Sequence, residues 1–320
     1  MSRKIIAFVI ALIIVGVTGI IVFSQFYKPE EAITGPISVI DDVGRNVTIT
    51  NYPPERILSL APSCTEILFA LGLGDKVVGV DEYSDYPLEV PDRVEAGTLT
   101  TVGSFAEINL ELVVSLEPDL ILATGGVQKV VVESLEGLDQ PVVVLYPYGK
   151  GFDGILTDIS LVGKATGQID EAEALVADMQ KRAQEIVDKT QDAPRPRVYI
   201  EYFFNGGYWS YGEVSYVNDL ISIAGGTNVF TGSELAYLAT STEEVLMANP
   251  EIIIISKGDM AIACGLTPEA IKERPGWSEI YAVQNDRIYE IGEDILTRPG
   301  PRMVNALETL ANLLHPELFS

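Results

Sequence analysis

Apolar residues in this chain come in short runs separated by stretches of helical period. Ile37 to Ile49 alternates around Asp42-Val43-Gly44-Arg45, which predicts a β-hairpin. Arg56 to Leu60 reads as a short strand, followed by a helix from Cys64 to Leu71 that Gly72 and Gly74 stop. Val77 to Val80 is the next strand. A helix over Leu110 to Leu116 leads into a strand over Asp119 to Ala123, and one over Val127 to Leu138 into a strand over Pro141 to Leu145. The second half continues in the same style, with strands at Arg197 to Tyr202, Glu251 to Ser256 and Arg287 to Ile291. Its helices are predicted at Val217 to Ala224, Thr267 to Glu273 and Pro301 to Leu314. Strands alternating with helices imply mostly parallel sheets with helices on both faces.

Between the halves, Ile169, Ala172, Leu175, Val176, Met179, Ala183, Ile186 and Val187 recur at spacings of three and four, which marks one apolar helix face. This helix runs to about Thr190 and stops before Pro194 and Pro196. The expected fold is therefore α/β: two Rossmann-like lobes joined by one long rigid helix. The expected divisions are 1–36 for an N-terminal anchor and tether, 37–151 for the first lobe, 152–192 for the bridge and 193–320 for the second lobe. The chain also repeats itself. NLELVVSLEPDLILA (Asn109 to Ala123) returns as STEEVLMANPEIIII (Ser241 to Ile255) at a constant offset (250 − 118 = 132). Glu111 falls on Glu243. Asn109 and Ser241 are good N-caps, and Ser241 with Glu244 has capping-box spacing. A glutamate in the first turn suits the helix dipole by about 0.3–1 kcal/mol, but capping does not require one in both copies.

The length of 320 residues suits two domains. A formal net charge of −25 argues against nucleic acid and against charge-driven docking on anionic lipid. Arg3 and Lys4 precede an uncharged apolar run, Ile5 to Phe23, long enough to cross a bilayer. The charges come first, so the rest of the chain is expected outside the cytoplasm. With no small-residue cleavage site after the run, it reads as an uncleaved anchor rather than a signal peptide, and Ser24 to Pro36 as a tether. Asn46-Val47-Thr48 is a glycosylation sequon, a weak signal. Cys64 and Cys264 are the two cysteines, and nothing in their spacing shows that they meet. Without a Cys/His cluster, a zinc site or an iron–sulfur cluster is not expected. His315, the single histidine, reads as a surface residue. There is no G-x-S-x-G, P-loop or G-x-G-x-x-G after a strand, so no enzymatic activity and no cofactor are expected.

Three stretches carry a resemblance: RILSLAPSCTEILFALGLGDKVVGVDEYSDYP (Arg56 to Pro87), VGSFAEINLELVVSLEPDLILA (Val102 to Ala123) and TRPGPR (Thr297 to Arg302). Together with the two-lobe layout, they resemble the substrate-binding proteins of ABC importers for metal chelates, which take up vitamin B12, ferric siderophores and haem. The similarity is greatest to the cobalamin-binding branch. The N-terminal anchor departs from the soluble or lipid-anchored pattern of bacterial relatives. The resemblance implies a ligand in the cleft between lobes and a monomer that meets a permease dimer and its ATPase. Glu111 and Glu243 fall on the positions that dock into permease arginines. Tyr83 matches a ligand-contact position, and Phe105, Tyr202 and Tyr237 align with aromatic positions of the pocket. Trp209, in the glycine-rich NGGYWSYG, offers a further wall, while Asp294 and Arg298 offer hydrogen bonds. A corrinoid, large, flat and mostly neutral, suits such a cleft. The acidic run Asp81, Glu82 and Asp85 opposes a tri-anionic siderophore.

The alternatives are the same fold with haem or a ferric siderophore, and a tethered interaction module without a small ligand. An enzyme with two nitrogenase-like lobes would need cluster-binding cysteines from several strands.

Overall fold

In the computed structural model, which describes residues 35–146, 148–204 and 207–319, the hairpin forms as β1 (Ile37–Ile40) paired antiparallel with β2 (Asn46–Ile49). The expected anchor, Ile5 to Phe23, lies outside the described residues. Among the described residues no helix is long and apolar enough to cross a membrane.

The first lobe holds β3 (Ile57–Ser59), β4 (Val77–Val80), β5 (Thr100–Thr101), β6 (Leu120–Thr124) and β7 (Val142–Leu145). They lie in the order β5-β4-β3-β6-β7, all parallel. The second lobe holds β8 (Arg197–Phe204), β9 (Tyr208–Tyr211), β10 (Thr227–Asn228), β11 (Tyr237–Thr240), β12 (Ile252–Lys257) and β13 (Ile288–Gly292). Its order is β11-β9-β8-β12-β13, with β10 also on β8. The pairs β8–β12, β12–β13 and β8–β10 are parallel, whereas the pairs β8–β9 and β9–β11 are antiparallel. Ile252 to Ile255 are fully buried, as befits a central strand covered on both faces.

The repeat in the sequence is a repeat in space. Helix Leu110–Ser115 leads to β6, and helix Thr242–Ala248 leads to β12. Asn109 accepts from Leu112 N, and Ser241 with Glu244 forms the expected capping box. Each unit turns from helix to strand through a left-handed residue, Glu117 (φ 46°) or Asn249 (φ 40°). Each is closed by an arginine at the start of a sheet strand, Arg56 just before β3 and Arg197 as the first residue of β8. Arg56 donates to Leu116 O, and its own N–H donates to Asp119 at 2.9 Å. Arg197 likewise donates to Asn249 O, and its N–H donates to Glu251 at 3.0 Å.

The bridge is two helices rather than the single one expected. Gly151–Thr166 precedes Ile169–Thr190, and Gly167 (φ 80°) turns between them. Three glycines in the first helix lower its intrinsic propensity and masked it in the sequence. Gly163 has a packing reason, because a Cβ there would meet the Ala172 Cβ at 2.4 Å. One apolar cluster runs through both lobes and the bridge, from Leu68 and Leu122 through Ile159 and Met179 to Leu220 and Leu307. His315 is buried, not on the surface. Helix Met303–Leu314 packs it under the Tyr216–Ile223 helix, with Nε2 3.2 Å from Gly225 O. Cys64 is buried, and both cysteines are free.

Where the chain leaves the first sheet it passes over a pair of acids. Asp42 accepts from Tyr146 N at 2.8 Å, pairs with Lys150 at 2.7 Å, and shares a hydrogen bond with Asp158. Asp158 is 1% exposed. Burial first, then the neighbouring Asp42, push its carboxyl up to about 10, so it is protonated at neutral pH. The unfolded value is 3.8. The native state therefore carries the extra proton between that value and about 10, and stability falls as pH rises through this window. Asp158→Asn removes the ionisation and keeps a donor. It is expected to gain about 1–3 kcal/mol at pH 8 and almost nothing near pH 4. Thermal denaturation across pH checks this, and an unchanged slope contradicts it.

Candidate functional site

Two adjoining recesses, about 410 and 870 Å³, open between the lobes and share Tyr83, Met260, Glu293, Asp294 and Arg298 as walls. Their lining residues sit just past the carboxyl ends of parallel strands, where open α/β sheets bind ligands. Tyr83 follows β4, Phe105 follows β5, and Tyr148 follows β7. Met260 follows β12, and Glu293, Asp294 and Arg298 follow β13. A third recess of about 490 Å³ lies by the hairpin, is lined largely by polar groups including Asn46, and lies away from the carboxyl ends of the parallel strands.

Tyr83 stands on a buried polar chain. Asp81 accepts from Tyr83 N at 3.0 Å and from the Ser84 hydroxyl, and Ser84 joins Thr65 at 2.7 Å. Burial pushes the Asp81 carboxyl up to about 6, against the pull of Ser84, Tyr83 N and Arg298. The Tyr83 side chain stays exposed toward the cleft. Phe105 rides on a tight loop closed by the Gly103–Ile108 bridge. Gly103 sits at φ 119°, where a Cβ would lie 2.3 Å from Glu107 O, so this turn requires glycine. The fully buried Gln128 fixes the loop by donating to Leu60 O and, at 3.0 Å, to Phe105 O, while accepting from Thr124 N at 2.9 Å.

Of the residues singled out in the sequence, Tyr83, Phe105, Asp294 and Arg298 line the recesses. Tyr202 and Tyr237 stand behind the wall instead. Tyr237 donates to the Tyr148 hydroxyl at 3.3 Å, and its ring is 5.5 Å from Tyr202 and 5.9 Å from Tyr148. Burial raises the pKa of all three phenols, so they are neutral at physiological pH. Trp209 is not on a loop. It lies in β9, paired with Phe203 and Ala239, because Tyr208-Trp209-Ser210-Tyr211 is good strand material. Tyr148, Met260 and Glu293 were missed. For Tyr148 a signal existed, an aromatic three residues past a predicted parallel strand.

The charges in the cleft are largely spent on one another. Arg298 pairs with Asp294 at 2.8 Å, with Asp85, and with Glu66 at 3.6 Å. Arg302 pairs with Glu66, and Lys257 with Glu290 at 3.2 Å. Carboxylates of Glu82, Asp85, Asp259, Glu293 and Asp294 outnumber these three bases along the walls. Among the described residues, no group of three or more His, Cys, Asp or Glu side chains is placed to hold a metal ion.

Fold and cleft together are those of a two-lobed binding protein. The chain belongs to the periplasmic binding protein family, whose model matches residues 57–295. The uncharacterized ABC transporter substrate-binding lipoprotein YvrC of Bacillus subtilis is 31% identical over 289 residues, covering 89% of this chain and 87% of that protein. The vitamin B12-binding protein of Vibrio cholerae is 34% identical over 276 residues, covering 82% of this chain and 90% of its own. The solved structure of the periplasmic heme-binding protein RhuT from Roseiflexus sp. RS-1 matches with a TM-score of 0.71 at 25% identity, covering 82% of this chain and 99% of that one.

Proposed function

We propose that this protein is the extracytoplasmic substrate-binding component of an ABC importer of the chelate class, and that its ligand is a corrinoid, cobalamin or a near relative. The observation that carries the ligand is electrostatic. Among the described residues, the three bases on the cleft wall, Lys257, Arg298 and Arg302, are each already paired with a carboxylate of the protein itself. A haem with two propionates, or an anionic ferric siderophore, would have to compete for those bases against an excess of fixed negative charge. A neutral ligand with a broad apolar face and peripheral amides meets no such penalty. Tyr83, Phe105 and Tyr148 supply stacking faces, and Asp294 accepts from amides.

Delivery needs a second contact. Glu111 and Glu243 occupy the same place in the repeated unit, one per lobe. Both are exposed, and neither makes an ion pair with the described residues. They are the docking points for a two-fold permease, through bidentate arginine pairs. Ile5 to Phe23 tethers the protein to the membrane, and no covalent chemistry is part of the role.

The vitamin B12-binding relative supports this ligand, and the heme-binding one supports its rival. Absorbance spectra separate them. After gel filtration of the protein mixed with each ligand, cyanocobalamin should co-elute and haem should not. Retention of haem with new ligand-to-metal bands, and loss of cyanocobalamin, would replace the corrinoid with haem.

A further inference from the structure

Two sequence blocks far apart in the chain, APSCTE (Ala61 to Glu66) and TRPGPR (Thr297 to Arg302), meet across the cleft. The first opens helix Pro62–Ala70 of one lobe, and the second follows β13 of the other. Gly300 lies against the first block, since a Cβ there would be 3.6 Å from Ser63 O and 3.8 Å from Glu66 Oε2. On either side of it an arginine reaches over. Arg302 grips Glu66 with two hydrogen bonds, Nε to Oε2 at 2.9 Å and Nη2 to Oε1, and lies 4.0 Å over the Tyr86 ring. Arg298 spans to Asp85 and, at 3.6 Å, to Glu66. Glu66 has 2% of its side chain exposed, and the arginines 16% and 14%.

We propose that this loop is an interlobe clasp, and that Glu66 is the positioning residue that holds the cleft at its working width before any ligand enters. The shared apolar core joins the lobes through the bridging helices, and this polar contact is a separate link between them. A fork-to-fork arginine–carboxylate pair fixes distance and orientation together. A dehydrated pair of this kind contributes geometry more than net stability when both charges are weighed together. A single variant does not strand the other charge, because Arg298 lies 3.6 Å from Glu66 and Asp294 4.0 Å from Arg302. Loss of the pair should therefore loosen the lobes without unfolding them. It also explains why Arg298, though on the cleft wall, is not a free donor for an anionic ligand.

The test uses the full chain without ligand. Val130 (72% exposed) and Met247 (86% exposed) lie on opposite lobes and accept spin labels as V130C and M247C in a C264S background, with Cys64 buried. The parent should give one narrow distance distribution. E66Q and R302M should broaden it and lengthen its mean by a few ångströms, with far-UV circular dichroism unchanged. D85N removes an exposed partner of Arg298 and should act in the same direction more weakly, and it decides the matter should E66Q fail to fold. Parental distributions in folded E66Q and R302M, or in D85N where those do not fold, overturn the clasp. No ligand enters the measurement, so that result would leave the corrinoid reading standing.

Discussion

Lysine at both Glu111 and Glu243 is expected to cut ABC-dependent uptake by about tenfold or more, with ligand affinity unchanged within about twofold. Both carboxylates lie in the first turn of a short helix, one on each lobe, and neither is in an ion pair among the described residues. Reversal turns attraction to permease arginines into repulsion at two places at once, while neither residue lines the cleft. Loss of the first-turn glutamates costs each helix about 0.3–1 kcal/mol. The N-caps remain, because Asn109 and the Ser241–Glu244 box are untouched. Each single variant should fall between parent and double. Uptake in cells at matched expression checks the effect, alongside titration of the purified variant. Parental uptake by the double variant would remove the docking role and leave only capping.

The second large effect concerns stability. Glu201 is fully buried in β8 and held by both arms of Arg274, at 2.6 and 2.7 Å. Tyr199 donates to the same carboxylate at 2.9 Å. The guanidinium lies 4.1 Å from the Tyr208 ring and 4.5 Å from the Trp277 ring. Arg274→Met would leave a buried carboxylate without its counter-charge, which costs about 3–5 kcal/mol. The double variant E201M/R274M removes both charges and should recover most of that loss, because a buried pair replaced by apolar groups is often nearly neutral. Chemical denaturation of the three proteins measures it. A double variant as unstable as R274M would show that packing, not the unpaired charge, accounts for the loss.

The alternation of strands and helices was legible because apolar runs and their breakers are local properties. So was the repeat: helices beginning at Leu110 and Thr242 and strands beginning at Leu120 and Ile252 keep the offset read from the letters. The arginines that close each unit were not visible. Arg56 and Arg197 stand outside the repeated stretch and at a different spacing (197 − 56 = 141). Helix Glu89–Glu95 was hidden by Pro91, which a first turn tolerates because its N–H needs no partner there. In the cleft, Tyr83, Phe105 and Arg298 could be found because each lies within one of the three distinctive blocks, and Asp294 because it lies just ahead of the last of them. Gln128 and Glu66 could not, since what they do depends on partners up to 236 residues away. Tyr202 and Tyr237 look like pocket aromatics in the sequence. The segment after β7 then sets Tyr148 against Tyr237, a placement set by tertiary packing alone.

The central claim is that the cleft takes a corrinoid, and titration calorimetry of the full chain in detergent with cyanocobalamin, cobinamide and haem tests it most directly. The account predicts saturable one-to-one binding of cyanocobalamin and no saturable heat with haem. Saturable binding of haem with none of either corrinoid would contradict it.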